Sequence, residues 1–159
     1  MKRLTVFLLS SLAIIACHKS SNSNSGSQGT LSATVGGTAF TANATYGIYY
    51  QTLNSFLAIG IIPSKDSTFL QVQLPWPLPI DTAFSTDSTL SGLSYYTSSG
   101  SKSYDAYTAN GHALFTITLF DTINHKISGT FSGTLINDFT VTDSLVITNG
   151  KFTTAYTVD

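Results

Sequence analysis

Apolar and polar residues alternate along much of the chain, most clearly toward its C-terminal end. In the segment from Ile127 to Leu135, Ile127, Phe131 and Leu135 fall on one side, and serines and threonines fall on the other. A period of two predicts a β-strand with one buried face and one face in water. Gly129 and Gly133 lie on the buried side, where they indicate close approach of another strand or a bulge.

The same pattern predicts further strands, separated by short turn signals. Alternation at Phe115, Ile117 and Leu119 predicts one strand, and Phe139, Val141, Leu145 and Ile147 predict another, with Asp143 interrupting the apolar series. The other predicted strands are Leu31–Val35, one that begins near Thr38, Ala44–Thr52, Phe56–Ile62, Thr68–Leu74, Leu145–Thr148 and Lys151–Val158.

The predicted turns lie between these segments. They are Gly36-Gly37, Leu53–Ser55, Pro63–Asp66 and Asn149-Gly150, the last as a type I′ hairpin turn because both residues tolerate a positive φ. Turn signals every eight to twelve residues are typical of all-β folds. We expect an antiparallel β-sandwich or partly closed barrel of about 8–10 strands.

The middle of the chain is less regular. Three prolines in the segment from Pro75 to Pro79 exclude a central strand, because each proline lacks the amide that a strand ladder needs. From there to about Gly111 the residues are rich in serine, threonine and tyrosine. We expect a long excursion with one or two short strands.

The N-terminus has the features of an export signal. Lys2 and Arg3 precede a mostly apolar stretch of 13 residues from Leu4 to Ala16. A membrane-spanning helix needs about 20 apolar residues, whereas a secretory signal peptide has these dimensions. Residues 1–16 are therefore predicted to be a signal peptide.

The sequence that follows predicts a lipid anchor. Ile14-Ile15-Ala16-Cys17 resembles the lipobox of bacterial lipoproteins, in which the cysteine takes a diacylglyceryl group and the new amino terminus is acylated after cleavage. Two or more acyl chains hold a protein stably on a bilayer. The alternative is an ordinary secretory signal with an incidental cysteine. Residues 17–29, rich in serine, asparagine and glycine, then form a flexible tether, and residues 30–159 form a single β domain.

Charge excludes one class of partner. The chain has 7 basic and 8 acidic residues, a formal net charge of −1, and no basic stripe of the kind that nucleic-acid binding requires. Without residues 1–16 it holds five lysines against eight aspartates, a charge of −3, and neither arginine nor glutamate. Bidentate recognition of phosphate or carboxylate by arginine is therefore absent from the predicted mature protein.

The sequence contains no recognisable catalytic or metal motif. His112 and His125 are predicted to lie at a strand start and in a turn, exposed to water, and no Gly-x-Ser-x-Gly elbow accompanies them. Asp81 and Asp87 are possible calcium ligands, but their spacing is not that of an EF-hand. We expect no enzyme activity, cofactor or metal, and a hydrolase that uses His112 or His125 is the remote alternative.

Aromatic residues are the remaining candidates for function. Rings on a rigid surface stack on sugars or anchor protein partners, although packing in the core is the more common role of such side chains. On one predicted strand, Tyr46 and Tyr50 share a face and Tyr49 points the other way. In the irregular middle, a binding surface is predicted at Trp76, Tyr95, Tyr96, Tyr104 and Tyr107.

Three stretches of the chain also resemble a family of uncharacterised envelope lipoproteins of the Bacteroidota. They are VGGTAFTA at 35–42, FTITLFDTINHKISGTFSGTL at 115–135 and VITNGKFTTAY at 146–156. The resemblance implies a small β-rich domain tethered to an envelope membrane and assigns no functional residues. The segment around Trp76 is not part of the family's pattern.

These observations together predict a non-catalytic binding or structural module. It is anchored in the cell envelope, at the outer membrane, through the lipid on Cys17, and its side of that membrane stays open. Its expected partner is an envelope protein or a glycan, and nucleic acid is excluded. The alternatives are a glycan-binding module and a lipocalin-like carrier that holds a small apolar ligand inside a closed barrel.

Overall fold

The computed structural model describes residues 29–42, 44–62, 68–85, 92–97, 102–107 and 110–159, which form eleven β-strands and no helix. The all-β prediction is confirmed, with one strand more than the upper end of the expected range. The strands are β1 (Thr30–Val35), β2 (Thr38–Thr41), β3 (Ala44–Tyr50), β4 (Ser55–Ile62), β5 (Thr68–Pro75), β6 (Ala83–Ser85), β7 (Gly92–Tyr96), β8 (Ser103–Asp105), β9 (His112–Asp121), β10 (Lys126–Asn137) and β11 (Ser144–Val158).

Six strands form one antiparallel layer, which we call the first sheet. Its order is β2-β1-β11-β10-β9-β6. The long strands β10 and β11, of 12 and 15 residues, lie at its centre. The short strands β2 and β6, of four and three residues, form its two edges.

The other five strands form the second sheet, which joins the first at both sides. Its order is β3-β4-β5-β7-β8, again antiparallel. At one side β3 runs parallel to the end of β11, with Val158 opposite Tyr49. At the other side β8 pairs with the end of β10, with Asn137 opposite Tyr104. Strands β3, β4, β5, β7, β8, β10 and β11 thus close a ring, so the fold lies between the predicted sandwich and the predicted partly closed barrel.

The core lies between the two sheets. Leu31 of β1 faces Gly60 of β4 so closely that a Cβ on the glycine would lie 2.9 Å from the leucine Cβ. The rings of Phe56 and Tyr156 meet edge to face at 5.4 Å. The largest side chains with almost no exposed surface are Phe56, Phe115, Phe152, Leu31, Leu70, Leu74, Leu93, Ile117, Ile127, Leu135, Ile147 and Val72.

The strands run between two ends of the molecule, which we name after a residue at each. At the Trp76 end, the amide of Trp76 donates to Asn54 in the turn 51–54, and the amide of Tyr156 donates to His125 in the turn 122–125. At the Phe139 end lie the loop 138–143 and the β1–β2 turn, where the amide of Gly36 donates to Val146. Because β1 begins near the Trp76 end and runs away from it, the described chain enters the fold from that end.

The predicted hairpin at Asn149-Gly150 is wrong. Both residues lie within the single strand β11, and the predicted strands Leu145–Thr148 and Lys151–Val158 are its two halves. Asn149 does adopt the left-handed conformation expected of it, with φ of 54°, but as part of a β-bulge. The register of β11 slips by one residue at this point against both β10 and β1.

The predicted strand at Phe139 and Val141 is also wrong. The side-chain oxygen of Asn137 accepts hydrogen bonds from the amides of Phe139 and Thr140, at 2.9 and 3.1 Å, and turns the chain away from the sheet. Both apolar side chains are exposed, and the strand begins only at Ser144. Leu145 and Ile147 do pack inward as the alternation predicts.

The predicted excursion from Pro75 to Gly111 needs correction as well. β5 ends at Pro75, so the prolines lie outside the sheet interior as expected. The residues that follow supply three short strands rather than one or two, and two of them, β7 and β8, are interior members of the ring. Their shortness hides them in the sequence, because three to five residues give little periodicity.

The remaining strand predictions agree with the structure to within three residues. The turn predicted at Leu53–Ser55 is formed by Gln51–Asn54. Gly129 is buried, and a Cβ there would lie 2.7 Å from the Thr116 oxygen, which confirms the predicted close approach. A register slip between β9 and β10 falls at the same glycine.

Several predictions fall outside the described residues. They are the signal peptide 1–16, Cys17 and the tether as far as residue 28, the turn Pro63–Asp66, and Asp87. Within the described ranges no helix has the length and apolar character needed to cross a bilayer.

Candidate binding face

The outer side of the second sheet is the candidate site, and β5 shows which residues reach it. Leu70, Val72 and Leu74 have no exposed surface and point into the core. Because successive strand residues point to opposite sides, Phe69, Gln71 and Gln73 point outward. This strand has the alternation expected of a sheet with one side in water, apart from the phenylalanine at its start.

β4 breaks that alternation, because it is apolar on both sides. Phe56 and Ala58 fill the core without exposed surface, yet the intervening Leu57, Ile59 and Ile61 are apolar too. An antiparallel strand whose outer side meets only water normally carries polar residues there. Ile59 is only 9% exposed, and Leu57 and Ile61 are half-buried. An apolar row on an outer sheet surface is a candidate place for another molecule to dock.

β3 extends the apolar row with tyrosines. Ile48 lies opposite Leu57 and Tyr46 lies opposite Ile59, so their side chains share the outer surface. Burial raises the pKa of the Tyr46 hydroxyl, and the neighbouring Tyr50 raises it further. The prediction that Tyr46 and Tyr50 share a face is confirmed, since Tyr49 packs inward against the core.

β7 and β8 bring tyrosines to the opposite margin of the same surface. The ring of Tyr96 stacks on Phe69, with ring centroids 4.4 Å apart. The hydroxyl of Tyr107, just after β8, donates to the side-chain oxygen of Gln73 at 3.1 Å. The ring of Tyr107 covers Gly92, where any side chain would collide with it.

The surroundings of Tyr107 at this margin favour the protonated form of its hydroxyl group. Burial raises the pKa of Tyr107, and the carboxylate of Asp105 and then Tyr96 raise it further. Asp105 also accepts a hydrogen bond from the amide of Tyr107 at 2.9 Å. Tyr107 therefore stays protonated at neutral pH and acts as a hydrogen-bond donor.

These residues together form a surface that we call the β3–β8 face. Its centre is aliphatic, its margins are aromatic and amide-bearing, and Asp105 is its only formally charged member. The β3–β8 face consists of Tyr46, Ile48, Tyr50, Leu57, Ile59, Ile61, Phe69, Gln71, Gln73, Ser94, Tyr96, Asp105 and Tyr107.

The structure divides the five predicted site residues between three places. Tyr96 and Tyr107 lie on the β3–β8 face. Tyr95 and Tyr104 come from the same strands but point inward, where Tyr95 meets Phe40 edge to face at 6.2 Å. Tyr104 is only 5% exposed, so its ring is part of the core.

Trp76, the fifth predicted residue, lies with the turns 51–54 and 122–125 at the end of the fold named after it. Its ring packs against Tyr49 at 4.5 Å and Phe120 at 5.3 Å. Phe120 stacks in turn on Tyr156, which carries His125 on its other side at 5.2 Å. Trp76 thus belongs to a continuous aromatic cluster that closes one end of the fold, away from the β3–β8 face.

Sequence reasoning missed the aliphatic centre and the two glutamines. A signal was present, because Ser55–Ile62 reads SFLAIGII and contains no polar residue after its first position. Such a run is typical of a strand that is covered on both sides. Which strands lie beside it, and hence which residues surround it, depends on pairing that a single sequence does not specify.

Polar groups at the Phe139 end have a structural role. The hydroxyl of Tyr104 donates to Asp143 at 2.9 Å, and the ammonium of Lys102 donates to the same carboxylate at 3.4 Å. The hydrogen bond from Tyr104, followed by the charge of Lys102, lowers the pKa of Asp143. The side-chain amide of Asn137 also donates to Asp143, at 3.3 Å, so this cluster fastens the loop 138–143 to β8 and β10.

The two histidines of the described residues lie at different places in the fold. His112 is exposed at the start of β9, as predicted, and lines an open groove of about 390 Å³ on the outer side of the first sheet. The groove contains Ser85 and Ser132, but the residues that line it carry no carboxylate to orient the imidazole. His125 lies in the turn before β10, where its ring stacks on Tyr156.

No metal centre is evident in the described ranges. They contain no group of three or more histidine, cysteine, aspartate or glutamate side chains placed to hold a metal ion. Asp81 has a positive φ of 54° and lies just before β6. Its proposed calcium partner Asp87 lies outside the described residues.

Comparison with known proteins gives no relative: no family model, no curated protein and no solved structure matches the chain.

Proposed function

We propose that the protein is a non-catalytic lipoprotein of the bacterial envelope, fastened to a membrane through acylated Cys17, whose β3–β8 face binds a protein partner. The observation that carries this proposal is the aliphatic row of β4 on an outer sheet surface. The sequence of residues 1–29 supports the anchor, and the resemblance to Bacteroidota envelope lipoproteins supports the setting, with the outer membrane as the expected site.

The chemistry of the face favours a protein over other ligands. Protein interfaces are enriched in tyrosine, and their fully buried centres are apolar and poor in charged residues. The β3–β8 face has this arrangement, with Ile59 at its centre, Tyr46 and Tyr96 near its margins, and one carboxylate. Tyrosine is also among the residues that most often contribute a large share of the binding free energy in protein interfaces.

A glycan is the second candidate, supported by the margin near β8. The ring of Tyr107 lies beside the amide of Gln73, and Gln71 projects from the same side of β5. An aromatic ring together with amide donors and acceptors suits a sugar ring and its hydroxyl groups. A carrier of an apolar ligand inside the fold has less support, because large side chains fill the space between the sheets.

Site-specific photo-crosslinking tests the proposed face in cells that make the full-length protein. We expect a photoreactive residue at Leu57 to give a discrete protein adduct, because Leu57 lies in the apolar centre. The matched control is Thr130, an exposed residue on the outer side of the first sheet, which should give none.

The same experiment separates the candidates. Ile61→Lys should reduce the Leu57 adduct at least about tenfold, since hot-spot changes cost about 2 kcal/mol or more, and Thr118→Lys should leave it unchanged. A glycan would be the better assignment under two conditions. The Leu57 label gives no protein adduct, and the protein binds envelope polysaccharide in a way that Tyr107→Ala abolishes. Equal labelling from Leu57 and Thr130 would contradict the proposal.

A further inference from the structure

We propose that the Trp76 end is a lipid-contacting surface, on which Ile123 and Leu53 enter the bilayer that holds the anchor, so that the strands stand upright on the membrane. This inference rests on the proposed lipid anchor at Cys17. It adds a second contact with the membrane and an orientation, neither of which the anchor alone supplies.

The first observation is the direction from which the chain enters the fold. Thr30 pairs with Thr153, and β1 then runs toward the Phe139 end. Cys17 lies 12 residues before Gly29. A coil of the composition predicted for this tether spans on average about 20 Å. The anchor therefore holds the Trp76 end close to the lipid surface.

The second observation is independent of the first and concerns the turns at that end. Ile123 is 90% exposed at the tip of the turn before β10, and Leu53 is 63% exposed in the turn before β4. A branched apolar side chain at the tip of a turn makes no contribution to the core. If the Trp76 end meets acyl chains, both side chains move from water into an apolar environment, which is favourable.

The turns that carry these side chains are held firmly. The carboxylate of Asp121 accepts hydrogen bonds from the amides of Ile123 and Asn124, each at 2.9 Å, and from the Asn124 side chain at 2.7 Å. The amide of Gln51, at the start of the other turn, donates to Asp159 at 3.0 Å. Insertion of these tips therefore costs little additional ordering of the backbone.

The negative charge of the Trp76 end indicates which lipid head groups it can approach. Asp81, Asp121 and Asp159 lie at or near it, against Lys126 on the adjoining strand. An acidic surface is repelled by anionic head groups. We therefore expect contact with zwitterionic lipid, weakened when anionic lipid is added.

The matched control is at the opposite end. Phe139, 76% exposed in the loop 138–143, is likewise a large, mostly exposed apolar residue, but it lies far from the point of chain entry. Cys17 is the only cysteine of the chain. Its acylation leaves an introduced cysteine as the only free thiol for labelling.

The test uses the full-length processed protein, purified from membranes and reconstituted in phosphatidylcholine vesicles. A spin label at Ile123→Cys should be more accessible to oxygen than to a water-soluble nickel complex, and a label at Phe139→Cys should show the reverse. The contrast should shrink in vesicles that contain phosphatidylglycerol. A label at Ile123 that is as accessible to nickel as the label at Phe139 would overturn the inference.

A second readout uses Trp76, the only tryptophan of the chain. Brominated phosphatidylcholine should quench its fluorescence, and the double variant Leu53→Asn with Ile123→Asn should lose that quenching. Phe139→Asn with Val141→Asn should keep it.

The mass of the N-terminal peptide separates the two proposals. Absence of lipid on Cys17 overturns both, whereas a lipidated protein without Trp76 quenching overturns only this one.

Discussion

Single residues of the same type have opposite roles here, and contacts distant in sequence decide which. Tyr95 and Tyr96 are neighbours, but one meets Phe40 in the core and the other stacks on Phe69 outside. The period of two predicts that they point apart. It does not predict which of them points inward, because that depends on the strands that lie beside β7.

Asp143 shows how far such contacts extend. Its partners Lys102 and Tyr104 precede it by 41 and 39 residues. The sequence presents Asp143 only as a polar interruption in an apolar series. That it fastens a loop to β8 becomes evident only when the ring of strands is closed.

The first prediction concerns pH and Asp143. The hydrogen bond from Tyr104 and the charge of Lys102 hold the pKa of Asp143 below its unfolded value of 3.8. A carboxyl group with a lowered pKa stabilises the fold above the unfolded value, and the contribution is lost as pH falls through the folded value. Asp143→Asn should therefore lower the free energy of unfolding at pH 7, and the difference from the parent should shrink below about pH 4.

Urea unfolding at pH 7 and at pH 3 measures this effect. Asp81→Asn serves as the control, because it neutralises an exposed aspartate outside the cluster. A difference between parent and Asp143→Asn that stays constant across this range would contradict the assignment.

At the scale of elements, most strands could be predicted from the sequence, and two of the failures depend on pairing between distant strands. Asn149-Gly150 suits a hairpin turn and a bulge equally, since both require a positive φ. The bulge is formed because β1 and β10 both pair across this position. Likewise β7 and β8 are too short for a periodic signal, and they exist as strands because β5 and β10 bind their edges.

The second prediction concerns the bulge. Asn149→Val should destabilise the protein by about 1–2 kcal/mol, because a β-branched residue is strained at a φ of 54°. Asn149→Gly should change the stability by less than about 1 kcal/mol, since glycine adopts this conformation readily. Chemical denaturation of the two variants gives the comparison, and equal destabilisation by both would argue against a strained position.

The β3–β8 face was predictable in part at this scale. Tyr46 and Tyr50 share a side by simple alternation, and Tyr96 and Tyr107 were singled out by their chemistry. The centre of the face is not predictable in the same way, because the apolar run of β4 indicates a strand but not which residues surround its outer side.

At the scale of the whole molecule, the sequence predicts the fold class but not the closure of the ring. The parallel pairing of β3 with the last residues of β11 joins segments more than 100 residues apart. No local pattern marks it, because a parallel neighbour needs no turn. The amide of Asp159 also donates to Tyr49 at 3.0 Å, which extends this junction to the last residue.

The third prediction tests that closure. Removal of residues 157–159 should lower the free energy of unfolding by about 1–3 kcal/mol, the sum of a few backbone hydrogen bonds. Hydrogen exchange should become faster in β3 and stay unchanged in β9, which is separated from β11 by β10. Thr157→Ala keeps the backbone and is the control, and unchanged exchange in β3 would show that the junction is unimportant.

The two margins of the first sheet have a consequence for crowding. A free strand margin offers unpaired amides and carbonyls to any neighbour, and long, flat margins seed fibrils. β2 offers four residues and β6 three, which is too little for a second copy to add itself in register. Backbone pairing of a second copy onto β2 or β6 is therefore disfavoured, which should limit polymerisation through these two short strands.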